Sequence, residues 1–217
     1  MRGRIALAVA AALLVHPAAS VAESSPTLTG SAAPRQPAAP QPVPASMPSD
    51  RVLGQADAPV TIIEYASFTC SHCATFATQV LPELKKRYID TGKAKLIFRD
   101  LPTAPVQVSS SLAAMGRCAA PGRFFGMLDH LMEGQEQAFR SGDVNGWMRG
   151  AIPLTGRTEA DLLACMQTDT MRTTLSGDIQ SAQAAGVTGT PYLFVNGQHV
   201  ERPSLEGMVA AIEPLLR

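Results

Sequence analysis

The run APVTIIEYASF, residues 58–68, constrains the fold of this chain more than any other stretch. It is short, rich in β-branched residues and almost continuously apolar, as expected of a strand that is covered on both faces. A helical pattern follows, because large apolar residues recur on one stripe. These are Phe76, Val80, Leu84 and Tyr88. The later stretch AKLIFRDLP predicts a second strand, parallel to the first if the intervening helix is a crossover.

The remainder of the chain predicts a helical block and then a hairpin. Pro82 lies inside the crossover helix and should kink or divide it. Residues 106–185 carry short apolar-periodic pieces separated by Gly and Pro, which is typical of several short helices. The stretch PYLFVNGQHV predicts a hairpin with its turn at Asn196-Gly197, and a last helix follows Pro203. This order predicts an α/β fold in which a compact sheet carries a helical insertion.

The charge balance argues against one class of partner. The 217 residues include 18 lysines and arginines and 18 aspartates and glutamates, so the formal net charge is zero. No bulk electrostatic attraction to nucleic acid or to a membrane surface is expected. We therefore predict that the protein has no nucleic-acid partner.

The N-terminus has the three parts of a secretory signal peptide in the expected order. Arg2 and Arg4 form a positive region, residues 5–15 form an apolar run, and the small residues of SVA provide a cleavage site that ends at Ala22. The apolar run is short for a bilayer span, which argues against the alternative of an uncleaved anchor helix. We predict that residues 1–22 are removed and that the mature protein is exported to an oxidising compartment, where disulfides persist.

The segment after the predicted cleavage site has a different composition. Residues 23–50 are rich in Pro, Ala and Ser and nearly free of large apolar side chains. Such a segment buries too little surface to offset the entropy lost on ordering it. We interpret it as a disordered, partly extended tether, so the folded domain is expected to begin near Arg51.

Cys70 and Cys73 form a C-x-x-C motif where the first predicted strand passes into the helix. Haem attachment needs a histidine in the fifth position, and this chain has Ala74 there. A structural zinc site needs a second pair of ligands, but Cys118 and Cys165 are isolated single residues. A purely structural disulfide in the motif would close a tiny loop and remove little unfolded-state entropy. Redox chemistry is therefore the favoured interpretation.

Position gives the two cysteines of the motif different expected roles. Cys70 lies at the start of the helix, where free backbone N–H groups and the helix dipole stabilise a thiolate. His72, protonated or acting as a hydrogen-bond donor, should add to this effect and lower the pKa of Cys70. Cys73 lies one turn further on the same face, where it can attack a mixed disulfide on Cys70 and release the partner.

Two further positions fit a redox site. Glu64 interrupts the apolar strand, and it either meets solvent or lies behind Cys73 as a partly buried carboxyl with a raised pKa. In the second interpretation it moves protons to and from the buried thiol. Thr190-Pro191 stands at the entry of the strand YLFV. An ordinary trans bond is unremarkable there, whereas a cis bond would turn the Thr190 backbone outward to pair with an extended substrate.

Together these residues resemble the DsbA-like thioredoxin family, the exported thiol–disulfide oxidoreductases. The resemblance covers about Val52 to the C-terminus and rests on APVTIIEYASFTCSHC, DTGKAKLIFRDLP and GVTGTPYLFVNG. It implies a thioredoxin fold with an inserted helical domain. Residues 51–105 and 186–217 would form the thioredoxin part and residues 106–185 the insertion, with the last helix of the insertion assignable to either part.

The resemblance also implies roles and partners. Cys70 corresponds to the exposed nucleophile, Cys73 to the buried resolving cysteine, Glu64 to the buried acid and Thr190-Pro191 to the cis-proline loop that faces the active site. These roles are those of a periplasmic protein disulfide oxidoreductase that acts on exported proteins with cysteines. A membrane redox partner would reset it, and no cofactor or metal beyond the Cys70–Cys73 disulfide is implied.

The chain departs from the family pattern at two points that bear on the direction of electron flow. Its dipeptide is Ser71-His72 where the best-known oxidases have Pro-His, and Thr190 also resembles the disulfide isomerases and reductases of the superfamily. Those isomerases usually dimerise through an N-terminal domain, in place of which this chain has the proline-rich tether. A monomeric dithiol oxidase is therefore the favoured interpretation. An isomerase or reductase and a thiol-based metallochaperone are the alternatives.

Cys118 and Cys165 lie on apolar faces of predicted helices, and two interpretations of them compete. They are either buried free thiols or a second disulfide that joins two helices. Unpaired thiols are a hazard in an oxidising compartment, and each has only the other as a partner once Cys70 and Cys73 are set aside. Some bacterial relatives of this family resemble the chain in having a second pair. We therefore favour a structural disulfide, which requires Cα atoms within about 7 Å.

Overall fold

The computed structural model describes residues 46–217, so the predicted signal peptide and the tether up to residue 45 lie outside the described residues. The described part contains a five-stranded sheet with the order β1-β3-β2-β4-β5. Its strands are β1 (Arg51–Leu53), β2 (Val60–Ala66), β3 (Ala94–Asp100), β4 (Tyr192–Val195) and β5 (Gln198–Val200).

The two apolar runs form the centre of the sheet. β2 and β3 are parallel, as predicted, and β2 pairs on its other side with antiparallel β4. Almost every residue of β2 and β3 is buried, because both faces of these strands are covered. The carboxyl ends of β2 and β3 meet the amino end of β4 at one edge of the sheet. The C-x-x-C motif follows β2 at this edge.

The crossover between β2 and β3 is a divided helical segment, in agreement with the prediction from Pro82. Its parts are α1 (Ser71–Thr75), a π-helical turn (Phe76–Val80), α2 (Leu81–Leu84) and a second π-helical turn (Lys85–Ile89). Pro82 has no N–H to donate to the preceding turn, and the first π turn ends just before α2. The predicted apolar stripe is nevertheless buried and packs against Met208 and Ile212 of the last helix.

The chain between β3 and β4 is mostly helical, and two further helical segments follow β5. They are α3 (Val106–Arg117), α4 (Phe124–Ser141), α5 (Val144–Gly150), a 3-10 turn (Ile152–Thr155), α6 (Glu159–Met166), α7 (Asp169–Ala184), α8 (Leu205–Ile212) and a 3-10 turn (Glu213–Leu216). The end of α7 packs on the sheet, because Ala182 shares a core cluster with Tyr65 and Phe194. Within residues 46–217, no helix is both long enough and apolar enough to cross a membrane.

The folded part begins before Arg51, earlier than composition indicates. The buried Arg99 holds the Asp50 carboxylate, with 2.8 Å between Nε and Oδ1. Arg117 Nη1 donates to the carbonyl of Ser49 at 2.7 Å. Two guanidinium groups thus fix the end of the predicted tether, and Ser49 and Asp50 lie within the folded part. These short polar residues carry no hydrophobic signal, so the sequence pattern assigned them to the tether.

The hairpin of β4 and β5 forms as predicted. Asn196 and Gly197 have φ values of 44° and 81°. Positive φ at both central positions is the signature of a type I′ turn, which Asn and Gly adopt at low cost. The tight turn brings β5 back along β4, with His199 opposite Phe194.

Candidate active site

Cys70 and Cys73 lie where β2 passes into α1. Cys70 has an extended backbone (φ −86°, ψ 118°) and is the N-cap of α1. Its carbonyl accepts the first helical hydrogen bond from Ala74 N at 3.1 Å. Cys70 is half-buried and Cys73, one turn further on, is fully buried, and both are thiols in this structure. An accessible sulfur therefore stands in front of a protected one.

The surroundings of Cys70 stabilise its thiolate. The largest effect is a hydrogen bond from the Cys73 thiol, which favours ionisation of Cys70. Burial opposes ionisation. The Thr190 side chain and the N–H groups of Cys73 and His72 favour the thiolate. Together these groups lower the pKa of Cys70 to about 5. When protonated, Cys70 Sγ donates instead to the Thr190 carbonyl at 3.2 Å. Cys70 can therefore be a thiolate at neutral pH.

Cys73 and Glu64 lie behind this thiolate. Burial is the main cause that raises the pKa of Cys73, and the hydrogen bond to Cys70 and the nearby negative charges raise it further. Glu64 is 3% exposed, so its carboxyl does not face solvent. Burial first, and the charge of Cys70 second, raise the pKa of Glu64 to about 8. A carboxyl with that pKa can take up and release a proton near neutral pH.

The Thr190-Pro191 loop forms the opposite wall of the site. The peptide bond between these two residues is cis, and the loop contacts Cys70 through the Thr190 carbonyl. A groove of about 690 Å³ lies between the crossover helix, this loop and the segment that leads into α8. His72, Thr190 and Leu205 are among the residues that line it. The groove therefore lies next to the loop whose Thr190 carbonyl contacts Cys70.

His72 lies in the first turn of α1, directly after Ser71. Its side chain is exposed, and within the part of the chain that the structure describes no hydrogen bond or ion pair involves the imidazole. The backbone N–H of His72 is one of the groups that lower the pKa of Cys70, after the Cys73 thiol, Thr190 and the Cys73 N–H. In the first turn of a helix the amides point toward the N-cap, while the side chains project outward.

Polar residues that the sequence did not reveal hold the turn before Cys70. Thr103 N donates to Ser67 Oγ at 3.1 Å, and Thr69 Oγ1 lies 3.1 Å from the hydroxyls of both Ser67 and Thr103. Gln135 of α4 donates to two carbonyls of the same turn. Single Ser, Thr and Gln residues are common, and Gln135 lies 65 residues from Cys70 in the chain. The only sequence signal is the closeness of Ser67 and Thr69 to the motif.

The other two cysteines form a second pair. Cys118, at the end of α3, and Cys165, in α6, are joined by a disulfide with 5.9 Å between Cα atoms. Cys118 is buried in the same apolar cluster as Cys73. The bridge therefore links two helices of the insertion. Within residues 46–217, no cluster of three or more His, Cys, Asp or Glu side chains is placed to bind a metal.

Residues 46–214, which include the whole sheet and the insertion, match the protein family described as thioredoxin. The chain belongs to the thioredoxin family. This membership agrees with the resemblance seen in the sequence.

Among the proteins similar to this chain are one relative and two solved structures. A chain of Rickettsia bellii named "Putative protein-disulfide oxidoreductase" is 32% identical over 168 residues, which cover 76% of this chain and 64% of that one. This chain thus spans less than two thirds of that relative. BdbD from Bacillus subtilis (oxidised) has a TM-score of 0.70 at 22% identity, covering 81% of this chain and 97% of that one. Wolbachia pipientis alpha-DsbA1 has a TM-score of 0.65 at 25% identity, covering 79% and 92%. The thioredoxin fold with an inserted helical domain is confirmed.

Proposed function

We propose that this protein is a periplasmic dithiol oxidase that donates the Cys70–Cys73 disulfide to exported proteins with cysteines. The observation that carries the proposal is the position of Cys70 at the N-cap of α1, with its Sγ 3.2 Å from the Thr190 carbonyl. These surroundings stabilise the thiolate and lower the pKa of Cys70 to about 5. A stabilised thiolate favours the reduced form of the pair, so the disulfide form is a ready oxidant. The relatives' names support a disulfide oxidoreductase, and the direction of electron flow is our inference from the site.

The proposed reaction transfers two electrons from substrate to enzyme. A substrate thiolate attacks Cys70 Sγ, the Cys70–Cys73 bond breaks, and the Cys73 sulfur leaves as a thiolate that takes a proton from Glu64. A second substrate thiolate then attacks the substrate sulfur of the mixed disulfide and releases Cys70 as a stabilised thiolate. The substrate gains one disulfide, the enzyme keeps two electrons, and Glu64 regains its proton from solvent.

The groove and the export signal complete the proposal. The substrate lies extended in the groove beside Thr190 and Pro191, where backbone groups can pair with it. The signal peptide that ends near Ala22 directs export, and a membrane redox partner re-oxidises the Cys70–Cys73 pair. The enzyme acts as a monomer, with the redox-active disulfide as its only cofactor.

Thermal melting of the two redox forms tests the direction. Mild reduction should open only the Cys70–Cys73 pair, which is checked by counting two free thiols per molecule. We expect the reduced form to melt at the higher temperature at neutral pH. Because the folded pKa of Cys70 is depressed, its stabilisation is present above the unfolded pKa and is lost as pH falls through about 5, so the gap should close there.

The opposite order of melting temperatures would support the isomerase or reductase alternative. The specific observation behind that alternative is the threonine at position 190, next to the cis-proline. A reduced two-cysteine peptide provides a second measure of direction. Stoichiometric oxidation of the peptide by the oxidised protein is expected, and a lack of transfer would contradict the oxidase proposal.

A further inference from the structure

Gln135 connects the helical insertion to the active-site turn. It lies in α4, is 3% exposed, and has the buried apolar residues Leu131, Met132 and Ala138 near it on the same helix. Its Nε2 group donates to the carbonyl of Phe68 at 2.7 Å and to the carbonyl of Cys70 at 3.1 Å. Both amide protons are thus directed at the turn that presents the reactive sulfur.

These contacts are more specific than helix packing requires. Burying a side-chain amide costs free energy unless its hydrogen bonds are made, and an apolar side chain would fill the same space at lower cost. The Cys70 carbonyl also accepts the first helical hydrogen bond from Ala74. Gln135 therefore fixes the peptide group from which α1 starts. The N–H groups that lower the pKa of Cys70 belong to the next residues, His72 and Cys73.

We propose that Gln135 is a positioning residue for the thiol–disulfide chemistry. By holding the carbonyls of Phe68 and Cys70, it fixes the direction in which the first amides of α1 point, and so it maintains the stabilised thiolate. The insertion thereby sets the reactivity of a cysteine that belongs to the thioredoxin part. This inference deepens the proposed function, because it concerns the same sulfur.

The proposal is tested by measuring the pKa of Cys70 in the reduced protein, from the absorbance of its thiolate at 240 nm. Gln135→Met keeps the length of the side chain and removes both donors; Gln135→Asn keeps the amide but is too short to reach both carbonyls. We expect the pKa of Cys70 to rise by about one unit in the Met variant and by less in the Asn variant. From a starting value of about 5, this rise lowers the thiolate fraction at pH 5 about fivefold, and the alkylation rate should fall in proportion.

A matched control separates positioning from stability. Thr155→Val removes another buried hydrogen bond of the insertion, from Thr155 Oγ1 to the carbonyl of Ile152 at 2.6 Å, without a contact to the active-site turn. It should lower the melting temperature and leave the thiolate pKa unchanged. If the Gln135 variants that fold behave like Thr155→Val, the positioning role is wrong. The Asn variant is the milder change and decides the question if the Met variant does not fold.

The two proposals fail in different ways. An ordinary thiol pKa in the unaltered protein would remove the basis of the oxidase proposal, and with it any need for positioning. A low pKa in the unaltered protein that persists in the Gln135 variants would refute the role of Gln135 alone. A raised pKa in those variants supports the inference, whichever direction the melting experiment gives.

Discussion

The two sulfurs of the C-x-x-C motif lie one helical turn apart and differ in acidity because their surroundings differ. Cys70 receives a hydrogen bond from the Cys73 thiol and meets N–H groups at the start of α1, so its pKa falls to about 5. Burial raises the pKa of Cys73. At neutral pH one sulfur is therefore charged and reactive, while the other keeps its proton.

This difference predicts how the two thiols react. In the reduced protein iodoacetamide should modify Cys70 and spare Cys73, and the rate should titrate with a midpoint near pH 5. Cys70→Ser should abolish exchange, whereas Cys73→Ser should accumulate mixed disulfides because the resolving thiol is lost. Mass spectrometry of the alkylated and mixed-disulfide species measures both effects. A Cys73→Ser protein that reacts no faster than an ordinary free cysteine would show that the roles are wrongly assigned.

The raised pKa of Glu64 leads to a prediction about stability. Its raised pKa means that the folded protein binds a proton more tightly than the unfolded chain, so Glu64 lowers stability increasingly as pH rises from about 4.5 to about 8. Glu64→Gln removes this penalty. The variant should gain on the order of 3 kcal/mol at pH 7 and almost nothing below pH 4, since one pKa unit is worth about 1.4 kcal/mol. Urea denaturation at several pH values measures the gain.

Glu64→Gln should also exchange disulfides more slowly, because Cys73 loses its proton donor. Glu136→Gln is the control, since Glu136 lies on the exposed face of α4 with its side chain 84% exposed. It should change neither stability nor rate. Unchanged exchange kinetics in Glu64→Gln would argue against the proton-transfer role even if the protein becomes more stable.

The sequence alone indicated the candidate redox residues, but it did not indicate the residues that hydrogen-bond to the turn before Cys70. Cys70 and Cys73 stand out by their C-x-x-C spacing, and Glu64 stands out because it interrupts an apolar strand. Gln135 breaks no such pattern, because a polar residue within an amphipathic helix is ordinary. Its partner carbonyls lie 65 and 67 residues away, and only the fold brings them together.

At the scale of the elements, α3, α7 and β3 meet in a buried cluster of charges. Arg117 of α3 contacts the carboxylates of Asp100, at the end of β3, and Asp178, in α7. These side chains are at most 3% exposed. Burial is the largest influence on Asp178 and raises its pKa to about 7. The guanidinium group therefore compensates two carboxyl groups that would otherwise be unfavourable in the interior.

Removing that guanidinium group should destabilise the contact between α7 and the sheet. Arg117→Met removes the guanidinium group that contacts both carboxylates, and we expect a loss of about 3–5 kcal/mol in the free energy of unfolding. Chemical denaturation near neutral pH measures it. Arg140→Met is the control, because Arg140 pairs with Glu136 on the surface and is 65% exposed. That change should stay within about 0.5 kcal/mol. Equal effects of the two substitutions would contradict the role of the cluster.

Elements with a long repeating pattern were predicted, and those formed by tertiary contact were not. The runs of β2 and β3 and the Asn196-Gly197 turn carry their own signals. β1 (Arg51–Leu53) has three residues, too few for an alternating pattern, and it forms by pairing with the open edge of β3. The π turns before and after Pro82 are local changes in the helix that no repeating sequence pattern indicates. Pro82 indicated a break in the helix but not the geometry that the chain adopts there.

For the whole molecule, the disulfide between Cys118 and Cys165 closes a large loop, since these residues are 47 positions apart. In the chain-entropy description, such a bridge stabilises the fold by about 4 kcal/mol. The double variant Cys118→Ser/Cys165→Ser should lose about that amount in urea denaturation. The disulfide that Cys70→Ser/Cys73→Ser removes closes only a tiny loop, so in the oxidised protein this double variant should not lose stability in this way and serves as the control. An unchanged denaturation midpoint without the bridge would rule out this stabilising role.

Cys70 and Thr190 are in contact although they lie 120 positions apart in the sequence. They are therefore synthesised at different times. A ribosome delivers the chain from its N-terminus, so Cys70 and Cys73 emerge long before the loop and the groove that complete their site. Cys118 and Cys165 also emerge before Thr190 does. A newly made chain therefore has all four of its cysteines before it has the Thr190 carbonyl that contacts Cys70. Both partners of the Cys118–Cys165 disulfide are thus present while one wall of the Cys70 site is still missing, so this bridge can form before the site in the same chain is complete.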